Sequence, residues 1–219
     1  SIYQQACGKQ ILWSDSKITT GKPKPAERDE PSVTECVEPF LSWPGGAHLR
    51  FFALIAGAQT ILFGLIYGGA DHLTALRTLR LRVHLDVEEK IPFVPAAIWI
   101  YMSIYILFCA IPFILRTRRE LSALANTLAS ATLCGGICFL LFPAEVGFTV
   151  PHDLGMSDQM FRFADWLNLK YNLVPSLHVA LSVVCVAAFA SRASVAGKVF
   201  LWLWAAAIAA STVLTYQHH

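Results

Sequence analysis

One serine and two histidines stand at the ends of long apolar runs, and their types suit the chemistry of phosphate esters. Ser176 and His178 lie in "YNLVPSLHVALSVV", where a loop-like start leads into an apolar run, and His218 closes the following run forty residues later. Histidine titrates near neutral pH, so one imidazole can attack phosphorus while another protonates the leaving oxygen. A helix that begins near Ser176 would present free backbone N–H groups to a phosphate, with the serine hydroxyl as cap and donor.

The elements that must position these residues are predicted to lie in a membrane. Of the 219 residues, 55% are hydrophobic and 15% are charged, whereas a soluble domain is usually about 45–50% apolar and about 25% charged. Five apolar runs are close to the length of about 20 residues that a membrane-spanning helix needs. They lie at about 51–70, 94–115, 121–142, 174–190 and 197–216. The alternation of a β-barrel is absent, so the predicted fold is all-α, a polytopic transmembrane helical bundle.

The chain divides into two predicted parts. Residues 1–48 are polar and broken by prolines, which predicts a mostly disordered tail because such a segment buries too little apolar surface to offset its ordering entropy. Residues 49–219 form the membrane-embedded domain, and its abrupt end at two histidines indicates a fragment.

A net charge of +2 without a basic stripe excludes nucleic acid as a partner. Cys134 and Cys138 share a helix face without a His or carboxylate, which favours packing over a metal site.

Two connecting segments, 71–90 and 157–170, have leucines or other apolar residues at helical spacing beside charged ones. Both are predicted to be amphipathic helices, which either lie in the membrane interface or pack on neighbouring helices. Aromatic residues cluster near the expected ends of the spans. They are Tyr67, Trp99, Tyr101, Trp166, Tyr171, Trp202 and Tyr216.

The spacing of His178 and His218 predicts that both lie at the same face of the bilayer. The chain crosses the membrane from His178, turns near residues 191–197 and returns to His218, and each span rises about 30 Å. Adjacent antiparallel helices would bring the two imidazoles together, although each could also be an ordinary interfacial residue. Ser211, Thr212 and Thr215 could face a phosphate or simply hydrogen-bond to carbonyls of their own helix. Four further histidines, His72, His84, His152 and His219, have no such surroundings and are expected to be structural or solvated.

Two motifs carry a family resemblance that covers roughly residues 50–219. Pro175-Ser176-Leu177-His178 resembles the Pro-Ser-Gly-His motif of the type-2 phosphatidic acid phosphatase superfamily, with Leu in place of Gly. The family's next motif is Ser-Arg, five residues, His, three residues and Asp. Ser211 and His218 match that motif in order and spacing, with Thr212 in place of Arg.

The resemblance implies a six-helix membrane fold and a phosphohistidine mechanism without a metal or other cofactor. His218 would be the nucleophile and His178 the general acid, while Ser176 and, more weakly, Ser211 would bind the phosphate of a lipid substrate. It also implies an active site on the non-cytoplasmic side. Charge alone does not orient the protein, because the short connections carry six Lys and Arg residues on each side.

Three departures from the family pattern matter. The Asp expected four residues after His218 would lie beyond residue 219, with the sixth helix. No basic motif precedes the spans where the family has one, and Arg162 and Lys170 are the candidates to supply that charge. Thr212 replaces a phosphate-binding Arg, which weakens stabilisation of the transferring group.

With these departures, the sequence resembles the branch of the superfamily that contains inositol phosphorylceramide synthases and sphingomyelin-synthase-like enzymes. That branch implies transfer of a phosphorylated head group between lipids, with phospholipids or isoprenoid or sphingolipid phosphate esters as substrates. No residue decides between transfer to a lipid alcohol and hydrolysis by water. Two non-enzymatic alternatives stay open, a transporter-like protein and a membrane scaffold. The near absence of charge within the spans argues against transport, with Glu145 at a boundary as the nearest exception.

Overall fold

The structure, a computed structural model, describes residues 39–78, 80–81, 91–144, 154–167, 172 and 174–217. The chain divides after Pro39, and every element below belongs to the unit that begins at Phe40. Most of the predicted tail, residues 1–38, lies outside the described residues. Within the described ranges, seven α-helices form the fold. They are α1 (Gly46–Ala75), α2 (Ala97–Met102), α3 (Ile104–Ile114), α4 (Arg118–Leu141), α5 (Asp158–Leu167), α6 (Leu177–Ala190) and α7 (Val195–Leu214).

The all-α membrane bundle predicted from the sequence is confirmed. Four helical stretches are long and apolar enough to cross a membrane: α1, α2 with α3, α4 and α7. The fourth predicted span, 174–190, is shorter than expected, because α6 has 14 residues and begins only after Pro175 and Ser176. About 21 Å of helix therefore stands where about 30 Å was expected.

The second predicted span is a helix in two pieces. It starts after Pro95, as the prolines of "IPFVP" predict, but is interrupted at Ser103 between α2 and α3. The Ser103 hydroxyl donates to the Ile100 carbonyl at 2.6 Å and accepts from the Trp204 indole N–H at 2.8 Å. The interruption therefore joins this span to α7.

One end of the bundle is joined by side-chain hydrogen bonds between helix termini. Thr117 and Glu120 form a reciprocal capping box at the start of α4. The Arg192 guanidinium, in the turn between α6 and α7, donates to the Glu120 carboxylate at 2.6 Å. Ser194 caps α7, where its Oγ accepts from the Gly197 N–H at 3.3 Å. These bonds hold the α6–α7 turn beside the first turn of α4.

Helix α4 lies at the centre of the packing, between α1 and α6. Two adjacent glycines allow the close approach on both sides. A Cβ at Gly135 would lie 2.7 Å from Leu177 Cδ2 of α6, and a Cβ at Gly136 would overlap Ile66 of α1. Helix α6 also packs on α3 and α7, so α1, α3, α4 and α6 surround a common interior.

The two predicted amphipathic segments have different outcomes. The second forms α5, whose Phe161 and Ala164 are buried against Tyr101 and its neighbours in α2. The first is not the helix expected over 71–90: α1 continues to Ala75, and the described residues 76–78 and 80–81 are not helical. Residues 82–90 lie outside the described part of the chain. Of the two alternatives for these segments, α5 therefore shows packing on a neighbouring helix, α2.

Candidate functional site

His178 lies in the first turn of α6, directly after the helix cap that the sequence predicts. Ser176 has an extended backbone, and its Oγ accepts from the Val179 N–H at 3.4 Å. Because the first backbone N–H groups of a helix have no carbonyl partner within that helix, this turn offers donors and the positive end of the helix dipole to an anion. His178 is half-buried at that point.

A tyrosine that the sequence placed at the membrane interface contacts His178 instead. Tyr101 of α2 is fully buried, and its hydroxyl lies 3.0 Å from His178 Nδ1. The two rings also stack, with centroids 4.1 Å apart and planes inclined by 21°. In the imidazolium both ring nitrogens are donors, so Nδ1–H can donate to the Tyr101 hydroxyl oxygen while Nε2–H donates to a substrate oxygen. Tyr101 thus fixes the ring orientation of His178.

His178 also borders an apolar cavity of about 420 Å³ that lies between α1, α3, α4 and α6. Leu177 and Leu181 of α6 line the same cavity, together with residues of the other three helices and Leu167 at the end of α5. A polar, hydrogen-bonded imidazole therefore stands at the edge of a space that suits hydrocarbon.

The hydroxyls of the second predicted motif bond to their own helix. Ser211 and Thr212 are buried in the last turn of α7, and they donate to the carbonyls of Ile208 and Ala209, each at 2.7 Å. Thr215 donates to the Ser211 carbonyl at 2.7 Å. This is the alternative of helix back-bonding that the sequence left open. A phosphate contact from Ser211 or Thr212 would require the hydroxyl hydrogen to change partner.

His178 lies deeper in the bundle than the C-terminal end of the neighbouring helix α7. The helices are antiparallel neighbours joined by residues 191–194, so His178 lies about level with residue 207, counting equal numbers from the turn. Ser211 is then about 6 Å further along the axis, and Leu214 about 10 Å. The first described turn of α6 therefore opens inside the bundle instead of at its rim.

The chain leaves α7 immediately before His218. Tyr216 is in the left-handed region with φ 56°, and the N–H groups of Tyr216 and Gln217 donate to the carbonyls of Val213 and Thr212, both at 3.1 Å. This is the double hydrogen bond that ends many helices. The Gln217 amide also donates to Asp165 of α5 at 3.3 Å, so the exit from α7 lies beside α5.

The remaining predicted site residues are placed as follows. Arg162 of α5 is exposed, and its Nε donates to the Asp158 carboxylate at 2.8 Å, an ion pair one turn apart on the same helix. His218 and Lys170 lie outside the described residues. Ser176 and His178 are therefore the two predicted site residues that the structure brings together, and Tyr101 is the partner that the sequence reasoning missed. Among the residues that the structure describes, no group of three or more His, Cys, Asp or Glu side chains could hold a metal ion.

No protein-family model, curated protein or solved structure matches this chain. The resemblance described for residues 175–178 and 211–218 therefore depends on those two motifs alone.

Proposed function

We propose that this protein is an integral-membrane enzyme that cleaves or transfers phosphate esters of lipids, with His178 as proton donor and His218 as nucleophile. One observation carries the proposal. His178, held by Tyr101, lies where the capped start of α6 meets an apolar cavity. A phosphorylated lipid needs both surroundings, because its phosphate requires donors and its chains require apolar surface.

The two steps of the proposed reaction share these groups. A ring nitrogen of His218 forms a bond to phosphorus while the bond to the leaving oxygen breaks, and His178, as the imidazolium, gives its Nε2 proton to that oxygen and becomes neutral. Water or a lipid alcohol then attacks phosphorus and gives its proton to neutral His178. This attack breaks the P–N bond, frees His218 and returns His178 to the imidazolium. Water as the acceptor makes the enzyme a phosphatase, and a lipid alcohol makes it a head-group transferase of the inositolphosphotransferase type.

The phosphate contacts in the proposal begin with α6. The first backbone N–H groups of that helix and the Ser176 hydroxyl can donate to phosphate oxygens. Ser211 and Thr212 contribute phosphate contacts only when their hydroxyl hydrogens turn away from the carbonyls of Ile208 and Ala209. Arg162 and Lys170 are the proposed sources of positive charge, and the family resemblance supports a site on the non-cytoplasmic side.

A second candidate function is lipid binding without chemistry. The apolar cavity supports it independently, since an apolar space between helices binds a hydrocarbon chain whether or not a reaction follows. In that case His178 and Tyr101 would orient a lipid head group by hydrogen bonding alone.

Product analysis with a phospholipid labelled at its head-group phosphorus separates these functions. The full chain in nanodiscs is incubated with the labelled lipid, and free phosphate and labelled lipids are counted separately for wild type and His218→Ala. Free phosphate that disappears in the variant indicates a phosphatase, and label on a second lipid that disappears indicates a transferase. Equal signals from both proteins would reject the enzymatic proposal and leave lipid binding.

A further inference from the structure

The cavity beside His178 extends from the imidazole towards the other end of the bundle. On α1 its lining runs from Phe52 to Phe63, a rise of about 16 Å along the helix. On α4 it runs from Leu121 to Thr132. His178 lines the cavity from the first turn of α6.

Besides His178, four polar side chains line the cavity: Gln59, Thr60, Tyr105 and Thr132. Most of its lining is aliphatic or aromatic. Two hydroxyls in that lining already donate within their own helices, Thr60 to the Ala56 carbonyl and Thr132 to the Leu128 carbonyl, each at 2.9 Å. A polar ligand would find only Gln59 and Tyr105 to replace its hydrogen bonds to water there, whereas a hydrocarbon chain would lose nothing.

The cavity opens sideways between two helices that are expected to face lipid. Thr60 of α1 and Tyr105 of α3 line it and are also exposed. Both positions lie in the middle of stretches long and apolar enough to cross a membrane. A chain can therefore enter laterally from the hydrocarbon layer, without passing through water.

We infer that this cavity binds one hydrocarbon chain of the lipid whose phosphate lies at His178. The inference rests on the proposed function for the position of the phosphate and adds the site that selects the lipid by its chain. A cavity with the start of α6 at one end and a mostly apolar lining suits an amphiphile: the phosphate meets the start of α6, and the chain lies between α1, α3 and α4. The length of the buried chain is then the property that the site measures.

Substitutions at two neighbouring alanines of α1 test the inference. Ala56 lines the cavity and Ala58 is exposed outside it, so Ala56→Trp fills the space while Ala58→Trp adds the same side chain on the outer surface. Ala125→Phe, which fills the cavity from α4, replaces Ala56→Trp where that variant fails to fold. Each protein in nanodiscs is assayed with hexadecyl phosphate and with butyl phosphate. It is also photolabelled with a hexadecyl phosphate that carries a diazirine at the end of its chain.

The expected result is that Ala56→Trp lowers kcat/KM for the hexadecyl ester by about tenfold or more, because several methylenes lose their buried position. Turnover of the butyl ester and all properties of Ala58→Trp stay within about twofold of wild type, as expected for a surface change. In wild type the diazirine labels peptides that contain Phe52 or Leu124, and Ala56→Trp removes that label.

The outcomes separate the chain site from the reaction. Photolabelling that depends on Ala56, without turnover of either ester, supports the chain site and rejects the enzymatic proposal. Turnover of both esters that Ala56→Trp changes equally, or label confined to outward residues such as Leu54 and Ile61, overturns the chain site and leaves the reaction in place.

Discussion

Tyr101 and His178, 77 residues apart in the chain, share a hydrogen bond of 3.0 Å and stacked rings with centroids 4.1 Å apart. The contact joins α2 to the first turn of α6. It combines a hydrogen bond from the half-buried imidazole to a buried tyrosine with a fixed ring plane, so the imidazole has one orientation relative to the cavity. A proton donor needs that orientation, because proton transfer requires hydrogen-bond distance to the leaving oxygen.

Tyr101→Phe is therefore expected to lower kcat by about five- to tenfold, the effect of losing one ordinary hydrogen bond of about 1 kcal/mol. The ring stacking and the packing volume are kept, so KM and thermal stability should change little. Steady-state kinetics with a long-chain phosphate ester measures both constants. Tyr105→Phe removes a hydroxyl from the lining of the cavity, one turn further along the same span, and should leave kcat unchanged. A Tyr101 variant with raised KM and unaltered kcat would show that the hydroxyl serves substrate binding instead of positioning.

Two serine caps allow the phosphate role of Ser176 to be separated from its structural role. Ser176 and Ser194 each accept a hydrogen bond from a backbone N–H in the first turn of their helices, α6 and α7. Either serine replaced by alanine should lower stability by about 1 kcal/mol through loss of the cap. Only Ser176→Ala should also raise KM for a phosphate ester, because only that hydroxyl lies beside His178. Thermal unfolding and kinetics on both variants provide the comparison, and equal activities after correction for folded protein would contradict a phosphate contact.

The close contact between α4 and α6 at Gly135 predicts a position where added volume moves the site. A Cβ there would lie 2.7 Å from Leu177, the residue before His178, while a Cβ at Gly57 on α1 would meet nothing within 4 Å. Gly135→Leu should destabilise the protein by about 1–3 kcal/mol, the usual cost of overpacking, and should reduce activity further by displacing the start of α6. Gly57→Leu should be neutral or stabilising, since glycine is a poor helix former. Thermal unfolding in one detergent compares the two. Equal stability of both variants would mean that α6 is not held against Gly135.

The sequence predicts those features that depend on one segment at a time. The membrane-spanning helices follow from apolar length, the cap at Ser176 from residue type, and α5 from the spacing of Phe161 and Ala164. The prediction of a separate helix over 71–90 was wrong, because residues 71–75, where that helix was expected to begin, form the last part of α1.

The features that the sequence does not predict depend on contacts between distant segments. Tyr101 sits in an apolar run like the other interfacial aromatic residues, and only the packing of α2 on its neighbours buries it beside His178. The interruption at Ser103 depends in the same way on Trp204 of α7. The recessed start of α6 depends on where the chain turns between α6 and α7. Periodicity and residue type contain no information about such register.

The proton-donor role of His178 is tested most directly by a comparison of leaving groups. Wild type, His178→Gln and His218→Ala are assayed with hexadecyl phosphate, whose alkoxide must be protonated as it leaves, and with nitrophenyl phosphate, whose phenolate leaves without a proton. We predict that His178→Gln lowers kcat/KM for the alkyl ester by about 100-fold or more and for the aryl ester by much less. His218→Ala should abolish both reactions. Equal losses for the two esters in His178→Gln, or activity in His218→Ala, would contradict the proposed phosphoryl transfer.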